Sequence, residues 1–260
     1  MTPSFIDSHA HLSEESTFSH VDQVLERAKA CGISAVVNIC TDAQSLKNGL
    51  ALAERYPWVY NAASTTPHDA AKEGEALFPF MAEHAHNGSL VAVGETGLDY
   101  FHWKDSAEDQ KKLLRRYLQL ALECHLPVVI HCRDAFADFF EILDQEYVCH
   151  GKHAPGVLHC FTGTCEEAEQ VLKRGWYLSL SGIVTFKKST ALQAVAKMTP
   201  LNQLLIETDS PWLAPQSQRG RTNEPAFLPE IAQCIAHLKG LTLSEVAAAT
   251  ADNARRLFNF

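Results

Sequence analysis

The sequence predicts an α/β protein with a single (β/α)8 barrel over residues 1–260. Short apolar runs rich in β-branched residues recur eight times, and amphipathic helical patterns lie between them. The length of 260 residues also matches the roughly 250 residues that one such barrel typically needs. Because an open doubly wound sheet shows the same alternation, the positions of the candidate site residues must decide between the two folds.

Several of the eight runs are apolar at every position, which is typical of strands covered on both faces of a parallel sheet. Because helical patterns separate the runs, we expect the strands to be parallel. In chain order the predicted strands are Phe5–Asp7, Ala35–Ile39, Val59–Ala63, Leu90–Gly94, Pro127–Ile130, Gly156–Leu158, Tyr177–Ser181 and Leu204–Thr208.

The helical patterns place apolar residues on one face. The clearest begins after Ser106, where Ser106 and Asp109 predict a capping box. The predicted helices are Asp22–Ala30, Ala43–Arg55, Ala107–Cys124, Ala135–Glu146, Cys165–Arg174, Ser189–Ala196 and Pro229–Leu238. No Pro/Gly/Ser-rich linker, low-complexity tract or internal repeat indicates a second domain.

The composition excludes several classes of protein. A hydrophobic fraction of 46% and a charged fraction of 20% exclude a disordered chain. The net charge of −9 argues against a broad basic surface that holds duplex DNA, so any nucleic-acid contact must be local. The first twelve residues resemble no secretory leader and no apolar stretch could cross a bilayer. We therefore expect a cytoplasmic protein without membrane contact.

The eight cysteines form no C-x-x-C pair, which predicts reduced and mostly buried thiols. Cys132 and Cys160 each follow a histidine, so a zinc site with thiolate ligands is one alternative. Strand alternation disfavours it, because neighbouring residues point to opposite faces of a strand.

Candidate metal ligands lie at the ends of the predicted strands. His9 and His11 are two residues apart in an extended segment, so both side chains can reach one metal ion. Four later strands each end with another residue type that binds metals. These residues are Glu95, His131, His159 and Asp209. Because (β/α)8 enzymes assemble their active sites at the C-terminal ends of the strands, we expect all six side chains to converge there.

Four histidines and two carboxylates suit two divalent ions, with Glu95 as the best bridge between them. The charge of two such ions would exceed that of the carboxylates, so the site would attract a phosphate. Such a pair of ions activates a water for hydrolysis. Asp209 can both bind a metal and accept the proton of that water, and the alternative is a role as ligand only. Glu95 and Asp209 are therefore the candidate catalytic residues.

Four further residues are candidate substrate contacts. Arg133 could bind a phosphate oxygen, or it could pair with Asp134. Backbone N–H groups of Thr162 and Gly163 could also bind phosphate, although Gly163 could serve a tight turn alone. His68 could touch substrate or be an ordinary hydrogen-bonded loop residue.

Two loops near these candidates could also contact the substrate. The loop of residues 100–103, Tyr-Phe-His-Trp, could stack an unpaired base or pack within the protein. Asn223 and Glu224 follow the last predicted strand, and their role is not derivable from the sequence.

Five ordered motifs resemble the TatD-type metal-dependent hydrolases of the amidohydrolase superfamily, and the resemblance covers nearly the whole chain. The motifs are FIDSHAHL from residue 5, GETGLD from residue 94, HCRD from residue 131, HCFTG from residue 159 and ETDSP from residue 207. The similarity continues through Asn223-Glu224-Pro225 and Asn253-Ala254-Arg255-Arg256-Leu257-Phe258.

The resemblance implies a TIM barrel of the amidohydrolase type and a deoxyribonuclease with 3′-to-5′ exonuclease action. It also implies that His9, His11, Glu95 and Asp209 hold one ion, and that Glu95, His131 and His159 hold the other. Magnesium or manganese is usually associated with this activity, although four imidazoles suit zinc equally well. One departure concerns substrate binding, because Thr66 stands where the family often has histidine.

The leading hypothesis is a cytoplasmic, monomeric phosphodiesterase that acts on single-stranded DNA ends. One alternative is a small-molecule amidohydrolase that uses the same ions to cleave an amide or ester. A second alternative is a protein that binds metal for recognition and does not catalyse hydrolysis.

Overall fold

A computed structural model describes residues 3–151 and 153–260. Residues 1, 2 and 152 of the predicted domain lie outside the described part. Eight strands pair in parallel in the order of the chain, from β1 to β8. The strands are β1 (Phe5–Ala10), β2 (Ile33–Cys40), β3 (Val59–Ala63), β4 (Ala92–Asp99), β5 (Val128–Arg133), β6 (Val157–Leu158), β7 (Tyr177–Leu180) and β8 (Leu204–Ile206).

The sheet closes because the chain after β8 returns to β1. The Asp209 N–H donates to the His9 carbonyl at 2.9 Å, and the His11 N–H donates to the Ser210 carbonyl at 2.8 Å. The Ser8 hydroxyl donates to the Ile206 carbonyl at 3.0 Å. The predicted (β/α)8 barrel is therefore confirmed, and the open sheet is excluded.

Helices surround the barrel. They are α1 (Glu15–Phe18), α2 (Val21–Ala30), α3 (Ala43–Arg55), α4 (Gly74–His86), α5 (Ala107–Cys124), α6 (Phe136–Glu146), α7 (Cys165–Lys173), α8 (Thr190–Met198), α9 (Leu228–Lys239) and α10 (Leu243–Phe258). The sequence interpretation missed α1, α4 and α10. Among the described residues, no helix combines the length and hydropathy that a membrane span needs.

The core has two layers. Alternate strand residues such as Ile6, Val37 and Val129 fill the barrel interior, where the last turns of α10 join them through Leu257 and Phe258. The other strand face packs against the surrounding helices. Because α10 packs against the interior residues, it covers one end of the barrel and leaves the opposite end for a site.

Two local predictions differ from the structure. The Ser106 side chain does not cap α5, because a short 3-10 turn precedes the helix and the Ser106 hydroxyl donates to the Trp103 carbonyl. β4 and β5 also extend beyond their predicted ends, to Asp99 and Arg133. Polar residues continue both strands because their backbones still pair with each other.

Candidate metal centre

The first group of candidate ligands lies where the first and last strands of the barrel meet. The Nε2 atoms of His9 and His11 are 3.2 Å apart, and both histidines are buried. Asp209 Oδ1 lies 3.5 Å from each of these nitrogens. Glu95 Oε2 lies 3.4 Å from the His9 nitrogen and 3.6 Å from the His11 nitrogen. Both carboxylates therefore lie beside the same pair of histidine nitrogens.

The second group shares Glu95 but uses its other oxygen. Glu95 Oε1 lies 2.9 Å from His159 Nε2 and 3.2 Å from His131 Nδ1. The two histidine nitrogens are 3.3 Å apart. One oxygen of Glu95 faces each group. The role of Glu95 as a bridge between two ions stays a prediction.

The spacing of these atoms fits divalent ions. Nitrogen and oxygen ligands at the usual metal distances lie about 3.4 Å apart around a tetrahedral centre. The five distances in the first group that include a histidine nitrogen are 3.2 to 3.6 Å. Imidazole nitrogens and carboxylate oxygens are also the donors that such ions take from proteins. The residues present therefore fit a pair of divalent metal ions.

The electrostatics of the centre favour ionised carboxylates. Burial opposes ionisation of Glu95, but the charge of His159 and hydrogen bonds from His131, His159 and His9 hold its pKa well below the usual range. Burial likewise opposes ionisation of Asp209, yet the hydrogen bond from His11 and the nearby imidazoles lower its pKa. Both side chains are therefore negatively charged and able to bind cations.

A bulge places Glu95 in the centre. Gly94 is opposite Val129 and Thr96 is opposite Ile130, so Glu95 is an extra residue in β4. Bulges of this kind turn a side chain away from the regular alternation and are common beside active sites. The apolar pattern predicted that the strand ends at Gly94, because hydrophobic periodicity does not show a bulge. The strand in fact continues to Asp99.

Two carboxylates that the sequence interpretation missed hold the outer sides of two histidines. His131 Nε2 lies 3.1 Å from Asp99 Oδ2, and His159 Nδ1 lies 3.4 Å from Glu207 Oε1. Such partners fix the ring and leave the other nitrogen for a metal. Asp99 and Glu207 stand inside the GETGLD and ETDSP motifs. Their positions in the motifs mark both residues as candidates for a role at the site. Which histidine each carboxylate contacts depends on the three-dimensional structure.

Buried polar groups also support the seam between β8 and β1. Asp7 accepts hydrogen bonds from the Thr208 N–H at 2.9 Å, the Thr208 hydroxyl at 2.6 Å and the His9 N–H. Burial raises the pKa of Asp7 to about 7 despite these bonds. Asn223 donates to the carbonyls of Thr208 and Trp212, which holds the turn that contains Asp209. This contact assigns Asn223 a structural role.

A cavity of about 420 Å³ opens beside the candidate ligands. Three of the four candidate substrate contacts line it, namely His68, Arg133 and Thr162. Gly163 packs against Phe136 and Phe161, where an added Cβ would come within 2.7 Å of each ring. Close packing therefore accounts for the glycine at this position.

Arg133 stacks on the Phe101 ring, with its guanidinium carbon 3.9 Å from the ring centre. Among the described residues it pairs with no carboxylate, so the alternative contact with Asp134 is not formed. The Arg133 guanidinium is therefore free to bind an anion.

Two other residues named from the sequence also lie at this cavity. His68 lies with Nε2 3.4 Å from Asp99 Oδ2, and Thr66 lines the same cavity.

The rest of the predicted stacking loop has mixed roles. Tyr100 donates to Asp138 at 2.7 Å, and His102 Nδ1 lies 3.0 Å from Asp99 Oδ2. Phe101 and Trp103 keep exposed rings. Glu224, whose role the sequence left open, accepts hydrogen bonds from Arg27 with both of its oxygens.

Within residues 3–151 and 153–260, no group of side chains that could hold a metal ion includes a cysteine. The Cys160 sulfur lies 3.2 Å from the Ser181 hydroxyl, and burial raises the pKa of Cys132 and Cys160 well above the usual range. All eight cysteines are free, but only Cys40 and Cys132 are buried. The expectation of mostly buried thiols is therefore wrong. Cys31 ends α2 and Cys149 lies in a short turn, and both positions face solvent.

Comparison with known proteins agrees with this geometry. A family model described as TatD related DNase matches residues 6–259. The chain is 40% identical over 253 residues to the uncharacterized metal-dependent hydrolase YabD of Bacillus subtilis, covering 97% of this chain and 98% of the relative. It is 37% identical over 244 residues to the 3′-5′ ssDNA/RNA exonuclease TatD of Erwinia tasmaniensis, covering 92% and 93%.

A solved structure gives the same result for the fold. The crystal structure of YJJV, a TatD homolog from Escherichia coli K12, superimposes with a TM-score of 0.92 at 28% identity. The match covers 100% of both chains.

Proposed function

We propose that this chain, which belongs to the TatD related DNase family, is a nuclease that removes nucleotides from the 3′ ends of single-stranded DNA. The chain is a metal-dependent hydrolase. Relatives named as 3′-5′ ssDNA/RNA exonucleases support the finer assignment. The observation that carries the proposal is the position of Glu95, whose two oxygens face two separate groups of ligand atoms.

His9, His11, Glu95 and Asp209 would hold one divalent ion, and Glu95, His131 and His159 would hold the other. Ions bound there would lower the pKa of a water and neutralise negative charge on phosphate oxygens. The imidazole nitrogens suit zinc, and the carboxylate oxygens suit magnesium and manganese. The two ligand groups share a carboxylate, so they lie close enough to act on one phosphodiester.

The protein groups supply the remaining steps. Asp209 is ionised and lies beside His9 and His11, so it accepts the proton that the attacking water loses. Arg133 binds a phosphate oxygen with its unpaired guanidinium. Asp99 holds the His131 ring in place throughout by a hydrogen bond, and Glu207 lies beside the His159 ring.

The test is release of mononucleotides from single-stranded DNA labelled at one end, with magnesium, manganese or zinc and with a chelator. We expect chelator-sensitive release, and we expect Asp209→Asn to reduce kcat by roughly 100-fold or more, as loss of a general base does. Asp105→Asn changes an exposed carboxylate in a turn and serves as the control. Turnover of cyclic amides without nucleotide release would instead support an amidohydrolase.

A further inference from the structure

The most exposed large hydrophobic side chains lie at one end of the barrel. Among the described residues, Phe101 is 58% exposed, Trp212 is 50% exposed and Trp103 is 41% exposed. Phe101 and Trp103 follow β4, whereas Trp212 follows β8. Loops after β4 and β8 lie on opposite sides of an eight-stranded barrel. Of these three rings, Trp212 alone lines the cavity beside the candidate metal ligands. An exposed aromatic ring at the edge of a cavity indicates a surface that binds a ligand.

The backbone holds Trp212 firmly although its ring is exposed. The Trp212 N–H donates to the Asp209 carbonyl at 3.0 Å, and the buried Asn223 side chain donates to the Trp212 carbonyl at 2.6 Å. The next residue, Leu213, packs tightly on Gly182, where an added Cβ would lie 2.0 Å from the Leu213 carbonyl oxygen. The backbone at Trp212 is therefore fixed before any ligand arrives.

The ring also lies directly beside the candidate metal centre. The Trp212 and His11 rings meet edge to face, with their centres 4.7 Å apart and their planes 70° apart. Trp212 lines the same cavity as His11 and Asp209. A flat group on the exposed surface of Trp212 would therefore belong to a molecule whose reacting atoms are at the metal centre.

We propose that Trp212 binds the unpaired base of the nucleotide that is being released, by stacking on it. This inference rests on the proposed function and names the part of the substrate that the site recognises. Every nucleobase has a flat apolar face, so stacking on an aromatic ring needs no particular sequence. A base inside a duplex is already stacked and paired, so the platform favours single-stranded ends.

The charges around the cavity agree with a nucleotide as the ligand. Arg133 lines the cavity and pairs with no carboxylate in the described part of the chain, so it can bind the phosphate of the same strand. A ring that takes the base and a cation that takes the phosphate match the two chemical parts of one nucleotide.

The first experiment compares two single-stranded oligonucleotides that differ only at the 3′ end, where one carries a base and the other an abasic residue. We expect Trp212→Ala to lower kcat/KM on the normal end by about 5- to 150-fold, as loss of a base stack does. Activity on the abasic end should be unchanged, and Trp212→Phe should restore most of the loss. Trp58→Ala, which changes a half-buried tryptophan that precedes β3, is the control.

Equal losses on both ends, or no loss on either, would overturn the stacking role. If the wild-type protein released no nucleotide at all, the proposed function would fail, and a binding measurement would still decide the inference. Trp212→Ala should weaken binding of deoxyadenosine monophosphate and leave binding of deoxyribose 5-phosphate unchanged. Unchanged binding of the nucleotide would contradict the inference directly.

Discussion

His131 and His159 illustrate how single residues prepare the centre. Each ring has a carboxylate on the side that faces away from Glu95, namely Asp99 and Glu207. A carboxylate in this position fixes the proton on one ring nitrogen and leaves the other nitrogen free to bind a metal. The arrangement therefore makes the affinity for metal depend on residues that do not touch the metal.

Asp99→Asn tests this dependence. We expect the affinity for the activating metal to fall by about 10- to 100-fold, because the amide holds the His131 ring and its proton less firmly. Activity titrated against metal concentration measures the change. The loss should be largely recovered at saturating metal, and Asp105→Asn should behave as wild type. A metal affinity equal to that of wild type would rule out this role for Asp99.

The candidate ligands could be named from the sequence because each stands at or near the end of an apolar run. Trp212, Asp99 and Glu207 could not be given roles in the same way. Their roles depend on contacts between strands, such as that of Asp99 with His131, and periodicity does not record which side chains meet. His68 and Thr162 line the cavity, and their role as substrate contacts stays a prediction.

At the scale of secondary structure elements, a buried amide joins β1, β2 and β3. Asn38 accepts hydrogen bonds from the N–H groups of Leu12 and Ser13 at 2.9 and 3.2 Å. It donates to Asn61 Oδ1 at 2.8 Å, and Asn61 donates to the Gly49 carbonyl in α3. The network fixes the turn that immediately follows His11.

We expect Asn38→Ala to destabilise the protein by about 2 to 4 kcal/mol, because two buried backbone N–H groups lose their acceptor. Urea unfolding followed by circular dichroism gives the free energy of unfolding. Asn202→Ala changes an exposed asparagine and should have little effect. If Asn38→Ala and Asn202→Ala had the same free energy of unfolding, the buried network would not contribute to stability.

The sequence predicted most elements because their apolar faces are long and regular. It missed α4, whose proline at position 79 interrupts the helical pattern, and it ended β4 early at the bulge of Glu95. Both failures have one cause, since the backbone continues through residues whose side chains do not show the expected period. The capping box at Ser106 failed because a preceding turn changed the backbone geometry.

At the scale of the whole molecule, metal binding should stabilise the fold. The candidate ligands include residues from the first strand and residues that follow the last strand. An ion that binds both therefore favours the closed barrel. At a metal concentration 100 times Kd, one ion would add about 2.7 kcal/mol to the free energy of unfolding. Calorimetry after chelation and addition of manganese measures the shift in Tm. Glu95→Gln should abolish most of the Tm shift. If no divalent ion changed the Tm of the wild-type protein, the proposed metal centre would be wrong.

The charge of the molecule leads to a prediction about salt. With a net charge of −9, the protein has no excess of positive charge to offer a nucleic acid, and Arg133 is the candidate contact. Each phosphate contact on a single strand adds about −0.7 to the slope of log kcat/KM against log salt. We expect a shallow slope that Arg133→Ala makes shallower still. A steep slope in both proteins would indicate a broad basic surface.

The closure of the barrel also has a consequence during protein synthesis. His9 and His11 are made early, but Asp209 and the seam that joins it to β1 follow two hundred residues later. A nascent chain on the ribosome therefore carries an incomplete set of ligands until its final strand has emerged. Nucleic acids around a translating ribosome therefore meet the full set of candidate ligands only after residue 209 has been made.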